Sequence, residues 1–241
     1  MKVPLKATYI LMALLLIVFI WEQYVYIQNK ELLKKYADEY GFSQKNVFEL
    51  RLWTFFTSAF LHGNVVHLVL NLIALFFFGT AVEEALGWRK MLMIFFVSAF
   101  LGNLAVFASS FLGIMPQDVA TIGASGGIFG LLGAAMILKP LEFVFYPFLI
   151  PVPLILVALL YTFYNLISFV FILSGAEGTS IAYSAHIGGL LAGLYFGFRY
   201  EQSRKGLLIV LAIILIMIFV PSIWSFLQYL EITNYLKIFL P

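Results

Sequence analysis

The chain has 241 residues, of which 63% are hydrophobic and 11% are charged, and its mean hydropathy is +1.02. Because a soluble domain carries roughly 25% charged residues, this composition excludes a soluble globular protein and indicates a polytopic membrane protein. The net charge of +2 is too small to indicate nucleic-acid binding, and the absence of cysteine excludes disulfides and thiolate chemistry.

A membrane crossing needs about 20 apolar residues, and by this criterion the chain has seven apolar segments. They cover residues 5–27, 65–82, 91–114, 122–139, 148–173, 182–198 and 206–229. The only long polar stretch, from Gln28 to Asn64, mixes charges of both signs with aromatic residues and is predicted to form a structured loop resting on the membrane. We expect an all-α membrane bundle and a single domain over residues 1–241, with a core at about 5–200 and an extra helix at about 206–229.

Lysine and arginine concentrate on one side of this predicted topology. The opposite short connections carry none, whereas eight basic residues fall on the first side: Lys2, Lys6, Arg89, Lys90, Lys139, Arg199, Arg204 and Lys205. The positive-inside rule therefore predicts a cytoplasmic N-terminus and an external C-terminus. The five positive charges of the long loop count for less, because four acidic residues share it and long loops weigh little in this rule.

The fourth segment opens with TIGASGGIFG (121–130), which sets Ser125 between small residues at the start of an apolar run. In the first turn of a helix, unpaired N–H groups and the positive end of the helix dipole favour a developing anion. One interpretation is a nucleophilic serine. The other is a small-residue helix contact of the kind that membrane proteins use widely.

The second and sixth segments also carry polar residues near their start. His67 and Asn71 are four residues apart and share one helix face, and His186 begins the sixth segment. Since even-numbered helices all begin on the outer side, these three residues and Ser125 are predicted to lie at one depth. A lone His or Asn there commonly joins two helices, but four polar groups at one depth favour a functional site.

Two stripes of glycine predict which helices touch. Gly126 and Gly130 repeat every four residues on the fourth segment, and Gly189 and Gly193 do so on the sixth. Such stripes allow close backbone approach, which would bring the His186 ring to the Ser125 hydroxyl. We expect the second, fourth and sixth segments inside the bundle, and the first, third and seventh facing lipid.

These positions suggest acyl-transfer chemistry. His186 would act as general base to Ser125, while His67, Asn71 and the Ser125 amide would form an oxyanion hole. A metal site is not expected, because the three histidines form no HExxH motif and no carboxylate lies near their depth. An aspartyl dyad is excluded as well, because neither of the two aspartates, Asp38 and Asp118, lies within a predicted span.

Three motifs resemble those of the rhomboid intramembrane serine proteases: HGNVVHLVLN in the second segment, GASGGIFG in the fourth and AHIGGLLAG in the sixth. They have the order and the helix placement of that family, and the resemblance covers residues from about Trp53 to Gly197. It implies a Ser–His dyad without an acid, formed by Ser125 and His186. It also implies that His67, Asn71 and the Ser125 amide stabilise the oxyanion.

Two further positions relate to that family. Glu83 and Gly87 match an E-x-x-x-G motif whose Glu holds a loop and takes no part in the chemistry, so Glu83 is expected to be structural. The family often has a Trp-Arg pair in the first loop, whereas here Trp53 is followed by Thr54.

The resemblance implies an endopeptidase without cofactor or metal, which cleaves transmembrane or juxtamembrane segments of single-span membrane proteins in the lipid bilayer. We expect an integral protein of a prokaryotic cell membrane whose active site opens to the outer side; the oligomeric state stays open. One alternative is a non-catalytic rhomboid-like binder or chaperone. A small-solute transporter is another, but the chain lacks an inverted-repeat pattern.

Overall fold

The computed structural model describes residues 6–113, 119–144, 151–173 and 183–200 together with Leu208 and Leu211, and side chains in the third range are described up to residue 165. The chain divides into two compact units, Met1–Glu201 and Gln202–Pro241, and every element below belongs to the first. Apart from Leu208 and Leu211, the predicted seventh segment lies outside the described residues.

The described part of the first unit contains ten α-helices and one pair of two-residue strands. In chain order the elements are α1 (Ala7–Gln28), α2 (Lys30–Tyr40), α3 (Gln44–Phe48), α4 (Thr54–Thr57), α5 (Val65–Ala74), α6 (Thr80–Leu86), α7 (Trp88–Phe111), α8 (Ser125–Leu138), β1 (Phe143–Val144), β2 (Val152–Pro153), α9 (Leu154–Leu173) and α10 (Tyr183–Tyr200). A π-helical turn, Leu75–Gly79, joins α5 to α6 without a break, and β1 pairs antiparallel with β2.

Three described helices are long and apolar enough to cross a membrane: α1, the continuous helix Val65–Leu86, and α7. Ser125–Leu138 and Leu154–Asn165 are shorter apolar helices. The chain is therefore an integral membrane protein built as a helical bundle, which confirms the predicted fold class at this level. At about 1.5 Å per residue, α8 is only about 21 Å long, less than the roughly 30 Å thickness of the hydrocarbon core.

Helix α8 lies at the centre of the bundle, and α1 lies at its edge. Every residue from Gly126 to Ile137 is buried, because glycine and alanine let neighbouring helices approach from all sides. In α1, by contrast, only one face is buried, at positions three or four apart: Thr8, Leu11, Leu15, Phe19, Glu22 and Val25. Most of the remaining apolar side chains of α1 are exposed, as expected for the first segment.

Helix α7 differs from the prediction that the third segment only faces lipid, and this part of the prediction is wrong. Gly102 of α7 lies against the backbone of Ala185 on α10, and Ser98 of α7 lies against Gly130 of α8. One face of α7 therefore packs between α8 and α10. The sequence of α7 indicates this contact, because the face carries small and polar residues, which a helix surrounded by lipid does not need.

Two segment boundaries also differ from the prediction. The second segment continues to Leu86, where Gly87 ends the helix with a φ of 84° that suits glycine. The fifth segment was expected from residue 148, but α9 begins only at Leu154. Pro151 and Pro153 precede it, and proline disfavours helical backbone in the residue before it, so Val152 and Pro153 pair as a strand instead.

The long polar stretch between α1 and α5 is structured, as predicted. It contains α2, α3 and α4, and side chains cap the first two of these at their N-termini. Asn46, buried in α3, donates from Nδ2 to the carbonyls of Asp38 at 2.7 Å and Gly41 at 2.8 Å. These bonds tie α2 to α3 and give the loop a defined shape.

Candidate active site

The long loop between α1 and α5 holds the segment that leads into α8. Phe42 and Thr121 exchange two backbone hydrogen bonds of 2.9 and 2.7 Å, and the Gly123 N–H donates to the Ser58 carbonyl at 2.9 Å. Ser58 is itself fixed, because Asn103 of α7 donates to its hydroxyl at 2.9 Å. Ser125 therefore begins α8 at a defined height in the bundle.

Gly123 is needed for two reasons. Its φ is 125°, a conformation that side chains disfavour, and an added Cβ would lie 2.7 Å from the His67 ring atoms Cε1 and Nε2. The same Cβ would lie 3.7 Å from Asn71 Nδ2. The backbone just before Ser125 thus lies directly against the His67 and Asn71 side chains.

Ser125 and His186 meet although 61 residues separate them in the chain. His186 Nε2 lies 2.7 Å from Ser125 Oγ, within hydrogen-bond distance. Two glycine contacts allow this approach of α8 and α10: a Cβ at Gly189 would overlap the Gly126 carbonyl, and a Cβ at Gly193 would overlap the Gly130 carbonyl.

Three side chains surround the His186 ring. Phe129, one turn after Ser125, stacks on it with centroids 4.4 Å apart and ring planes 9° from parallel. Tyr183 meets it edge-on at 6.2 Å. The Asn165 side chain of α9 contacts His186 Nδ1 through its Oδ1 atom. Sequence reasoning missed Phe129 and Asn165, although an amide inside an apolar segment was a signal that pointed to Asn165.

His67 and Asn71 line the same cavity as Ser125 and His186, and its volume is about 570 Å³. Asn64 caps α5 by accepting from the His67 N–H at 2.8 Å, which fixes the start of this helix. Asn71 is buried, and its Nδ2 has no hydrogen-bond partner among the described residues. This amide is therefore a buried donor that faces the cavity without an acceptor, an arrangement that normally costs free energy.

The start of α8 adds further donors. The N–H groups of a helix's first turn have no partner within the helix, and no side chain caps α8 at Ala124 in the described structure. The positive end of the helix dipole adds to their effect on a nearby anion. The Ser125 hydroxyl thus lies beside a basic nitrogen, at a helix end that favours negative charge.

His62 and Glu22 are buried polar residues that are joined by a hydrogen bond near His67. The Glu22 carboxylate of α1 accepts from the His62 backbone N–H at 3.2 and 3.3 Å. The His62 ring lies 5.1 Å from the His67 ring, and its Nε2 has no partner in the part of the chain that the structure describes. Burial, together with the nearby His67, lowers the pKa of His62 from 6.5 to about 4, so this side chain is neutral at pH 7.

Glu83 does not line the cavity and contacts the start of α1. Its carboxylate accepts from the N–H groups of Ala7 at 2.8 Å and Thr8 at 2.9 Å, and from the Thr8 hydroxyl at 2.6 Å. The residue therefore caps the N-terminus of α1, whereas the resemblance implied a loop-holding role. The geometry explains the difference, because the start of α1 and the end of α6 lie side by side.

The long loop accommodates Thr54 where the resemblance suggested arginine. Thr54 is fully buried and donates from its hydroxyl to the Arg51 carbonyl at 2.8 Å. Arg51 itself pairs with Glu49 at 3.1 Å. The loop thus holds a guanidinium three residues before Thr54.

Comparison with known proteins gives the family of this chain. The Rhomboid domain matches residues 49–203, which is more than half of the sequence. The chain belongs to the rhomboid family. The matched region includes all four residues of the candidate site, Ser125, His186, His67 and Asn71.

Relatives include both rhomboid proteases and rhomboid-like proteins. Rhomboid protease GluP of Bacillus subtilis (strain 168) is 31% identical over 154 residues, covering 64% of this chain and 27% of that protein. RHOMBOID-like protein 12, mitochondrial, of Arabidopsis thaliana is 30% identical over 169 residues, covering 65% and 48%. Rhomboid-like protease 3 of Toxoplasma gondii is 36% identical over 83 residues, covering 34% and 29%. The chain thus matches less than half the length of each of these relatives.

Proposed function

We propose that this protein is an intramembrane serine endopeptidase that uses Ser125 as nucleophile and His186 as general base. The observation that carries the proposal is the 2.7 Å distance between His186 Nε2 and Ser125 Oγ, inside a cavity of about 570 Å³. Nucleophile and base at hydrogen-bond distance are the arrangement that acyl transfer requires. Membership of a family that contains named proteases supports the same reaction.

In the proposed reaction, Ser125 Oγ attacks the carbonyl carbon of the scissile peptide bond while His186 Nε2 takes the hydroxyl proton. The negative charge on the carbonyl oxygen is then stabilised by the Ser125 N–H and by donors from His67 and Asn71. His186 returns the proton to the leaving amine, which releases one product and leaves an acyl ester on Ser125. Water, activated by His186, hydrolyses this ester and restores the free serine.

The unpaired Asn71 amide supports this assignment of the oxyanion site. A buried donor without a partner costs about 1–3 kcal/mol, and this cost is offset when an oxyanion binds in the transition state. Gly123 supports it too, since its lack of a side chain keeps the space between His67 and the Ser125 backbone open.

We further propose that the substrates are single-span membrane proteins cut within or next to their transmembrane segment. A helical amide is shielded by its own hydrogen bonds, so the substrate must unwind locally before Ser125 can attack it. In this proposal a six-helix core, formed by α1, the helix Val65–Leu86 and α7 to α10, carries the site, and residues 206–229 add a helix to the same membrane domain.

We also propose that the protein lies in a prokaryotic cell membrane. Its N-terminus would be cytoplasmic and its C-terminus external, and its active site would open to the outer side. The basic residues support it. Lys6 and Lys139 both pair with Glu84, and Lys90 lies 4.3 Å from the centre of the Tyr200 ring, so these charges share one end of the bundle.

A serine-directed fluorophosphonate and a cleavage assay test this function together. Purified protein in detergent would be labelled with a fluorescent fluorophosphonate and incubated with candidate single-span proteins, and the products would be sequenced. We expect labelling at Ser125 and a cut in or beside the transmembrane segment, both lost in Ser125→Ala. A protein that binds these substrates but is neither labelled nor able to cut them would be a non-catalytic binder, and the proposal would be wrong.

A further inference from the structure

Asn165 joins the His186 ring to helix α9. The residue is buried, with 5% of its surface exposed, and its Oδ1 contacts His186 Nδ1 on the side of the ring opposite to Ser125. An amide at this depth in an apolar helix is costly unless its polar atoms are paired. The oxygen and the nitrogen of the Asn165 amide both have partners: the oxygen faces a ring nitrogen, and the nitrogen faces a backbone carbonyl.

The second partner determines which way the amide points. Asn165 Nδ2 donates to the Tyr161 carbonyl, one turn earlier on α9, at 2.8 Å. The flipped amide would set its oxygen against that carbonyl oxygen, and two acceptors would then face each other. The amide oxygen must therefore face His186, where it can only accept.

An acceptor at Nδ1 determines the tautomer of the neutral imidazole. The ring must carry its hydrogen on Nδ1, which leaves Nε2 as a lone-pair acceptor. Nε2 is the atom that lies 2.7 Å from Ser125 Oγ, so the serine hydroxyl donates to it. In the opposite tautomer, Nδ1 would face the amide oxygen lone pair to lone pair, and Nε2 could not accept the serine proton.

We propose that Asn165 is a positioning residue that holds His186 in the Nδ1–H tautomer and extends the pair to a hydrogen-bonded chain, Ser125–His186–Asn165. Phe129 fixes the plane of the ring by stacking, so the amide sets the tautomer and the rotation within that plane. When His186 takes the serine proton, the bond from Nδ1–H to the amide becomes charge-assisted and strengthens. A neutral amide suits this place better than a carboxylate, which would be an unpaired charge within the bundle whenever His186 is neutral.

The catalytic consequence rests on the proposed function, whereas the tautomer does not, and the test separates the two. Full-length protein with ¹⁵N-labelled histidine would be studied by NMR, because the two ring nitrogens of a neutral histidine differ strongly in chemical shift according to which carries the hydrogen. His186→Gln identifies the signals of His186. We expect Nδ1–H in the wild-type protein, and an Nε2–H tautomer or a mixture in Asn165→Leu, which has the same branched arrangement of heavy atoms but no acceptor.

A matched control lies on the same helix. Thr162 donates to the Ala158 carbonyl at 2.8 Å, the same bond to a carbonyl one turn earlier, without contacting His186. Thr162→Val should keep both the tautomer and the activity. Asn165→Leu should lower kcat by about 10²-fold with little change in KM, in the range of positioned acid–base catalysis.

Either of two results would overturn the proposal: an Nε2–H tautomer in the wild-type protein, or an unchanged tautomer and kcat in Asn165→Leu. The wild-type spectrum decides even if Asn165→Leu does not fold. If the tautomers behave as expected but the wild-type protein cuts no substrate, Asn165 holds His186 as inferred and it is the protease assignment that fails.

Discussion

Gly193 on α10 faces the main-chain carbonyl oxygen of Gly130 on α8 so closely that no side-chain carbon fits between them. Gly189 faces the Gly126 carbonyl in the same way, next to the Ser125–His186 pair. Because a packed interior does not absorb extra atoms, these two contacts set the distance between the helix that carries the serine and the helix that carries the histidine.

Adding one methyl group at this contact should separate the helices. Gly193→Ala would overlap the Gly130 carbonyl and should destabilise the protein by about 1–3 kcal/mol, the usual cost of overpacking. Gly126→Ala is the matched control on α8, because its Cβ would meet nothing closer than 3.7 Å and alanine favours helix. Thermal unfolding in detergent should show a lower Tm for Gly193→Ala alone. Equal Tm values would mean that α10 shifts at no cost.

The Ser125–His186 pair should behave as one catalytic unit. Removing either member of such a pair costs nearly as much as removing both, because neither works alone. We therefore expect Ser125→Ala, His186→Ala and the double variant to lose cleavage to the same extent, while each keeps its Tm within a few degrees of the wild type. The measurement is kcat/KM on one single-span substrate. Substantial turnover by Ser125→Ala would exclude this serine as nucleophile.

Asn71 should show opposite effects on activity and on stability. As one oxyanion donor among several, it should contribute about 10²–10³ to kcat, with little change in KM. Asn71→Leu also removes a buried donor that has no partner among the described residues, so its Tm should stay the same or rise. Kinetics and thermal unfolding of the same preparation test both points. A raised KM at unchanged kcat would instead make Asn71 a substrate-positioning residue.

Two neighbouring glutamates on α6 should differ in their effect on stability. Glu83→Gln weakens the cap on α1, whose loss typically costs about 0.5–2 kcal/mol. Glu84→Gln breaks only partly exposed ion pairs with Lys6 and Lys139, which are typically worth about 0–1 kcal/mol. Unfolding of both variants in detergent should rank Glu83→Gln as the less stable, and the reverse order would contradict the capping role.

His62 should make the protein sensitive to mild acid. Burial lowers its pKa to about 4 in the folded protein, while the unfolded chain titrates near 6.5. At this position the unfolded state therefore binds more protons between these two values, so the contribution of His62 to the free energy of unfolding falls as the pH drops from about 6.5 to 4. His62→Phe cannot be protonated and should lose less stability over this range, as measured by Tm at several pH values. Parallel curves for the two proteins would assign the acid sensitivity to other groups.

The amino-acid sequence by itself determined that this is an all-α integral membrane protein of the rhomboid family. The low charge content and the length of the apolar segments leave no other fold class, because a backbone in lipid must satisfy its own hydrogen bonds. The motifs around His67, Ser125 and His186 are local, so they could be read directly from the chain. The placement of Ser125 in the first turn of this helix could be predicted for the same reason, although the predicted segment began at residue 122.

Only the tertiary structure decided which side chains meet outside the three motifs. Asn165 contacts His186 from 21 residues away, and Glu83 caps Thr8 from 75 residues away. Periodicity shows that a helix has a small or polar face but does not say which partner covers it. In a bilayer this ambiguity is greater, since lipid tails and buried side chains are equally apolar. The small and polar face of α7 indicated a contact with some neighbour, but only the structure shows that its Gly102 and Ser98 pack against α10 and α8.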